Sequence, residues 1–104
     1  MPELTGAELI AAERKRQIEV EGWDAKHDDQ WDAEHLAQAA ACYGFAERYR
    51  VVFDSGDALP AAWKLGPRWW KPTPNDRLKE LVKGGALIAA AIDRLLAEER
   101  SDAE

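Results

Sequence analysis

Thr73 to Leu96, read TPNDRLKELVKGGALIAAAIDRLL, decides the fold. Thr73, Pro74 and Asp76 place a capping side chain, a first-turn proline and an acid in the third position, the marks of a helix start. Leu78, Leu81, Val82, Ile88, Ile92, Leu95 and Leu96 then recur at helical spacing. Gly84, Leu87 and Ala91 add a second strip, so the helix is apolar over more than half its circumference. The spacing predicts a helix over 74–97, with a polar tail from Glu98 that frays. Gly84-Gly85 sits in mid-helix, where it marks either close crossing of another helix or a kink.

Two more helices precede it. Thr5 and Glu8 form a capping box, with Leu4 and Leu9 spaced as a hydrophobic staple. This predicts a helix over 5–21, stopped by Gly22. Asp32 is a cap for a second helix over 33–53, where Leu36, Ala39, Ala40, Tyr43 and Ala46 share a face. The alanines of this segment favour helix. Cys42 among them reads as a small buried thiol. Between the second and third helices, residues 54–73 contain Pro60, Gly66, Pro67 and Pro72, which break long elements. The same stretch holds Leu59, Trp63, Leu65, Trp69 and Trp70. A flexible linker has no use for such groups, so an ordered loop is expected, its tryptophans covering the open side of the helices.

The 104 residues therefore make one all-α domain, 1–104, built as a helical bundle. The third helix offers more apolar surface than so short a chain can cover. Homo-oligomerisation, in the simplest case a two-fold dimer, is expected to complete the bundle.

Composition excludes several classes. The chain is 46% hydrophobic and 33% charged, a globular balance. Its single cysteine forbids an internal disulfide and a cysteine-based zinc site. Met1-Pro2-Glu3-Leu4-Thr5 lacks a basic region followed by an apolar one, and no apolar run is long enough for a membrane span. A cytoplasmic protein, in a host cell if phage-encoded, is the expectation. The net charge of -6 opposes generic nucleic-acid binding. The charge is uneven, however. Lys64, Arg68, Lys71, Arg77, Lys79 and Lys83 face only Asp76 and Glu80 between Trp63 and Lys83.

Three sets of residues carry candidate chemistry. Glu13, Gln17 and Glu21 repeat every four residues, with Arg14 beside them, which stacks them on one side of a helix. Carboxylates so placed can hold a divalent cation such as Mg²⁺ or orient a ligand; a solvated helix face is the other reading. His27, Asp28 and Asp29, followed by Asp32, Glu34 and His35, are possible metal ligands or an acidic turn capping the second helix. Trp69 and Trp70 beside Lys71, with Arg77 and Lys83 following, suit a ligand combining a flat ring and a phosphate. The start of the third helix adds backbone donors for that phosphate. The alternative is that the tryptophans cover the core and the bases stay in water. No nucleophilic triad and no glycine-rich phosphate loop is present.

Taken together, three blocks resemble a family of small, mostly uncharacterised helical proteins of tailed phages and prophages. They are Glu13-Arg14-Lys15-Arg16-Gln17-Ile18-Glu19-Val20-Glu21-Gly22-Trp23 followed by His27-Asp28-Asp29, then Leu36 to Tyr43, then Trp69-Trp70-Lys71-Pro72 with Leu81 to Ile88. The likeness spans nearly the whole chain. The family pattern has a glutamate where this chain has Ala91. A more remote likeness is to the all-helical nucleotide pyrophosphohydrolases, oligomeric bundles that hold Mg²⁺ on paired acids of two helices. Glu13 and Glu21 on the first helix and Glu80 and Asp93 on the third are the nearest counterparts, without the paired spacing.

The resemblance implies a phage context and carries no activity with it; the residues themselves suggest an accessory protein that binds an anionic, nucleotide-like small molecule or a host protein. Glu13, Arg14, Gln17, Trp69, Trp70, Arg77 and Lys83 would line that surface. The remote likeness implies an alternative, a Mg²⁺-dependent nucleoside triphosphate pyrophosphohydrolase with metal at Glu13, Glu21, His27, Asp28 and Asp29. A purely structural oligomer is a third.

Overall fold

The structure, a computed structural model, describes residues 3–22, 32–44, 71–73 and 75–103, with side chains to residue 100. The described residues are all-α: helix α1 is Gly6–Glu19, α2 is Ala33–Gly44 and α3 is Arg77–Ala103. They form a small helical bundle with no strand among the described residues.

Each helix begins where its sequence supplies a cap. At α1, Thr5 Oγ1 accepts from the Glu8 N–H at 3.2 Å, and Glu8 Oε1 accepts from the Thr5 N–H at 2.9 Å. The expected capping box is complete. After α1 the chain turns away at Gly22, whose φ of 74° is in the left-handed region that glycine enters without a Cβ penalty. At α2, Asp32 Oδ1 accepts from the His35 N–H at 2.8 Å, and the Asp32 N–H donates to His35 Nδ1 at 3.3 Å. Asp32 and His35 are thereby a helix start.

The third helix begins at Arg77 rather than at residue 74. Thr73 is held in a turn, its carbonyl accepting from the Asp76 N–H at 2.9 Å and its hydroxyl donating to the Asp76 carbonyl at 3.2 Å. Asp76 then caps the helix through the Lys79 N–H at 3.0 Å. At the other end α3 runs to Ala103, past the expected end at residue 97. Arg94 pairs with Glu98 at 3.4 Å, and Arg100 Nε donates to the Leu96 carbonyl at 3.3 Å. Such one-turn contacts hold the polar tail in helix. The second helix is described only to Gly44, so the expected stretch to residue 53 and the loop tryptophans Trp63, Trp69 and Trp70 lie outside the described residues.

The core lies between α2 and α3. Leu36, Ala39, Ala40, Cys42 and Tyr43 meet Leu87, Ala90 and Ala91, all buried. Burying a leucine contributes about 1.5–3 kcal/mol. The facing alanines let the two backbones close up. A Cβ added at Gly84 would lie 3.2 Å from the Ala40 carbonyl oxygen and 3.4 Å from Tyr43 Cβ. One added at Gly85 would lie 2.5 Å from Ile10 Cδ1. The glycine pair is therefore a packing point, with one glycine under α2 and the next under α1.

Both α1 and α2 pack on α3, and their Cα atoms do not approach one another within 8 Å. The three form a single layer with α3 in the middle. A trough runs along one side of that layer, between the two outer helices.

Candidate functional site

The trough is a cleft of about 370 Å³. Glu13, Arg16 and Gln17 of α1 and the following Glu21 form one wall. Lys79, Lys83 and Leu87, one turn apart along α3, form the base, with Tyr43 of α2 and Lys71 opposite. The four-residue spacing read on the first helix turns Glu13, Gln17 and Glu21 to one side, and the same spacing on the third helix aligns Lys79 with Lys83.

Gln17 is the buried residue of α1, 3% exposed. Its Nε2 donates to Glu13 Oε2 at 3.4 Å. That contact orients the amide, because reversing it would set oxygen against carboxylate. Gln17 Oε1 is left buried with no hydrogen-bond partner among the described residues. An acceptor in that condition costs about 1–3 kcal/mol until a donor reaches it.

The carboxylates are engaged. Arg16 grips Glu13 with two hydrogen bonds, 2.7 Å from Nε and 2.8 Å from Nη2. This fork holds the Glu13 carboxyl below its ordinary 4.5, against the opposing effect of burial, and raises the Arg16 guanidinium above its usual value. Glu21 accepts from Lys71 Nζ at 3.2 Å and lies 3.6 Å from Arg16.

The lysines differ from one another. Lys83 donates to the Lys71 carbonyl at 2.6 Å and lies 5.8 Å from the Tyr43 ring centre. Burial, and next the neighbouring Lys79 charge, push its ammonium below the ordinary 10.5. Lys79 has no partner for its ammonium among the described residues. Tyr43 is buried, and its hydroxyl accepts from the Lys71 N–H at 3.0 Å, which ties the 71–73 segment to the cleft. Four cations, Arg16, Lys71, Lys79 and Lys83, thus face two carboxylates in the lining.

Of the residues singled out in the sequence, Glu13, Gln17, Glu21, Lys71 and Lys83 come together here. Arg14 turns to the other side of α1 and pairs with Asp93 of α3 at 3.2 Å. Arg77 is spent on the end of α2. Its Nη1 donates to the Tyr43 carbonyl at 2.8 Å, its Nη2 makes a short contact with the Gly44 carbonyl, and it pairs with Glu80 at 3.5 Å. Glu80 is buried and accepts from the Thr73 N–H at 3.2 Å, apart from the cleft lining. Asp76 takes a donor at the start of α3 that was reserved for a phosphate. His27, Asp28, Asp29, Trp69 and Trp70 lie outside the described residues.

Sequence reasoning missed Arg16, Lys79 and Tyr43 in the lining. Arg16 stands three residues from Glu13 and Lys79 four before Lys83, so helical spacing held the signal for both. Among the described residues no group of three or more His, Cys, Asp or Glu side chains is close enough to hold a metal ion. A Mg²⁺ at Glu13 and Glu21 would have to displace Arg16 and Lys71, so these two residues alone are not a fitted metal site. No described helix is long and apolar enough to cross a membrane. Comparison of the chain with protein-family models, curated proteins and solved structures gives no match.

Proposed function

We propose that the cleft binds an anionic small molecule of nucleotide type. Gln17 carries this reading: its side chain lines the cleft and its buried Oε1 has no donor among the described residues, so an occupant that brings one would satisfy it. A nucleobase N–H or a ribose hydroxyl is such a donor. Lys79 and Lys83 sit side by side on the neighbouring wall, and two like charges held together favour a phosphate between them. The cleft volume falls in the range of about 300–1,000 Å³ common for small-ligand sites. We place the protein among phage-type accessory proteins on the likeness of its sequence blocks, and expect it to act as a homo-oligomer.

The test is calorimetric titration with nucleoside monophosphates, nucleoside triphosphates and inorganic phosphate. Gln17→Leu should weaken nucleotides about tenfold or more while sparing inorganic phosphate; Lys79→Gln should weaken both. If no nucleotide or phosphate binds the folded wild type, the reading is wrong, and a host protein or a purely structural role takes its place. An enzymatic reading of the same cleft, Mg²⁺-dependent pyrophosphohydrolysis, would need metal ligands besides Glu13 and Glu21, which Arg16 and Lys71 engage. Pyrophosphate release from triphosphates with Mg²⁺ separates turnover from binding.

A further inference from the structure

The side of the layer away from the cleft carries a different surface. Leu78, Leu81, Ile88, Ile92, Leu95 and Leu96 of α3 are all between 44% and 63% exposed. Five of them fall in a strict heptad: Leu78 and Ile92 at a positions, Leu81, Ile88 and Leu95 at d positions. The remaining a position is Gly85, and it is not a gap. Ile10 of α1 occupies the space a side chain would take there. The apolar strip is therefore continuous from Leu78 to Leu95, about 26 Å at 1.5 Å per residue.

This pattern is the seam of a two-stranded coiled coil rather than an ordinary core face, which is wider. The true core face of α3 is separate: Gly84, Leu87 and Ala91 are buried and turned to α2. A layer of helices with apolar groups on its open side needs a second layer.

We propose that a second copy of this chain supplies it, its α3 lying antiparallel on the first across a two-fold axis. In that direction unlike positions of the seam meet one another. Antiparallel, every a residue meets a d residue: Leu78 meets the partner's Leu95, Leu81 the partner's Ile92, and Gly85 with its covering Ile10 the partner's Ile88. Each contact occurs twice by symmetry, as an isologous interface requires. In parallel, Gly85 with its covering Ile10 would face its own copy, so the two positions backed by α1 would crowd at one level. The six exposed residues offer on the order of 600 Å² per copy, or about 1,200 Å² in a pair, which reaches the lower edge of stable specific interfaces. The groove between α1 and α3, lined by Ile10, Ala11, Ile18 and Ala89, adds apolar surface beside the strip. The cleft lies on the opposite side of the layer, so it stays open in the dimer, and this inference stands or falls apart from the ligand reading.

Sedimentation equilibrium of the full chain tests it. The expected mass is twice 11.6 kDa at high concentration, falling toward the single chain on dilution. Ile88→Lys with Ile92→Lys should raise the dimer dissociation constant about a hundredfold or more and leave helical circular dichroism intact, since both positions are already half in water in one chain. The direction is read by disulfide trapping in a Cys42→Ala background. Leu81→Cys mixed with Ile92→Cys should cross-link to each other in preference to themselves. A second arm keeps the test sound if the lysine pair unfolds: Leu95→Ser alone should weaken the dimer about tenfold. A wild type that is a single chain at every concentration overturns the proposal and leaves the strip to residues outside the described set or to another protein. A dimer indifferent to all these changes, or trapped only as Leu81→Cys with itself, overturns it equally.

Discussion

Replacing Leu87 by alanine tests the core and the cleft together. Leu87 is 1% exposed and is the largest fully buried side chain of the described residues. It stands where α2 packs on α3 and also forms part of the cleft base. Leu87→Ala removes three carbons, about 2.4 kcal/mol of transfer free energy at about 0.8 kcal/mol each. An enclosed site would add a large cavity term. Here the space opens toward the cleft, where water can enter, so the added cost is small and the expected total is about 3 kcal/mol. For a domain this size that lowers the melting temperature by about 12–24 °C. It is also a large share of the 5–15 kcal/mol that holds a typical domain together. The assay is thermal and urea denaturation followed at the helical circular dichroism band, with Val20→Ala as control. Val20 is 71% exposed, and its truncation should cost less than about 0.5 kcal/mol. A loss below about 1 kcal/mol at Leu87, or equal losses at both positions, would refute the packing of α2 on α3 described above.

Other outcomes follow from the same geometry. Arg77→Gln should cost about 1–2 kcal/mol and speed amide exchange near the end of α2, because the Tyr43 and Gly44 carbonyls lose their donor; nucleotide affinity should not change. Phosphate affinity should fall as pH rises through the Lys83 pKa, which lies below 10.5, since the anion needs the charged ammonium; Lys83→Gln should remove that part of the pH dependence. Thr5→Ala should cost about 0.5–2 kcal/mol by urea denaturation. The Glu8 carboxyl of the same capping box has its pKa lowered below 4.5, chiefly by the Thr5 backbone donor. Its support of α1 is therefore present at and above its ordinary pKa and fades as pH drops through the lowered one, visible as loss of helix in acid.

Local chemistry was legible in the sequence wherever one residue acts on a near neighbour. Thr5 with Glu8, Gly22, and Asp32 at the head of α2 could all be read from their spacing. The start of α3 was misplaced by three residues, because Thr73 and Asp76 are both good caps and a turn between them decides which one serves. Periodicity also placed Glu13, Gln17 and Glu21 on one side of α1. It could not say which basic residues would face them. Arg14 and Arg16 differ by two positions, which is more than half a helical turn, and only the location of α3 decides that Arg16 enters the cleft while Arg14 meets Asp93. The fate of Arg77 depends on where the Tyr43 and Gly44 carbonyls of α2 lie, a long-range fact that no local pattern carries. The glycine pair left two readings open until both neighbouring helices were in place.

That pair also bears on how the chain acquires its structure. Each glycine inside a helix costs about 0.8–1 kcal/mol relative to alanine, so Gly84 and Gly85 together weaken α3 by about 2 kcal/mol at its middle. An isolated peptide of this segment should be a poor helix, broken into two short halves. Only the simultaneous arrival of Ala40 and Tyr43 on one side and Ile10 on the other offsets the loss. The central helix cannot serve as a preformed template on which the others condense. All three must reach their places in a single concerted transition, and a populated species with α3 alone is not expected on the folding path.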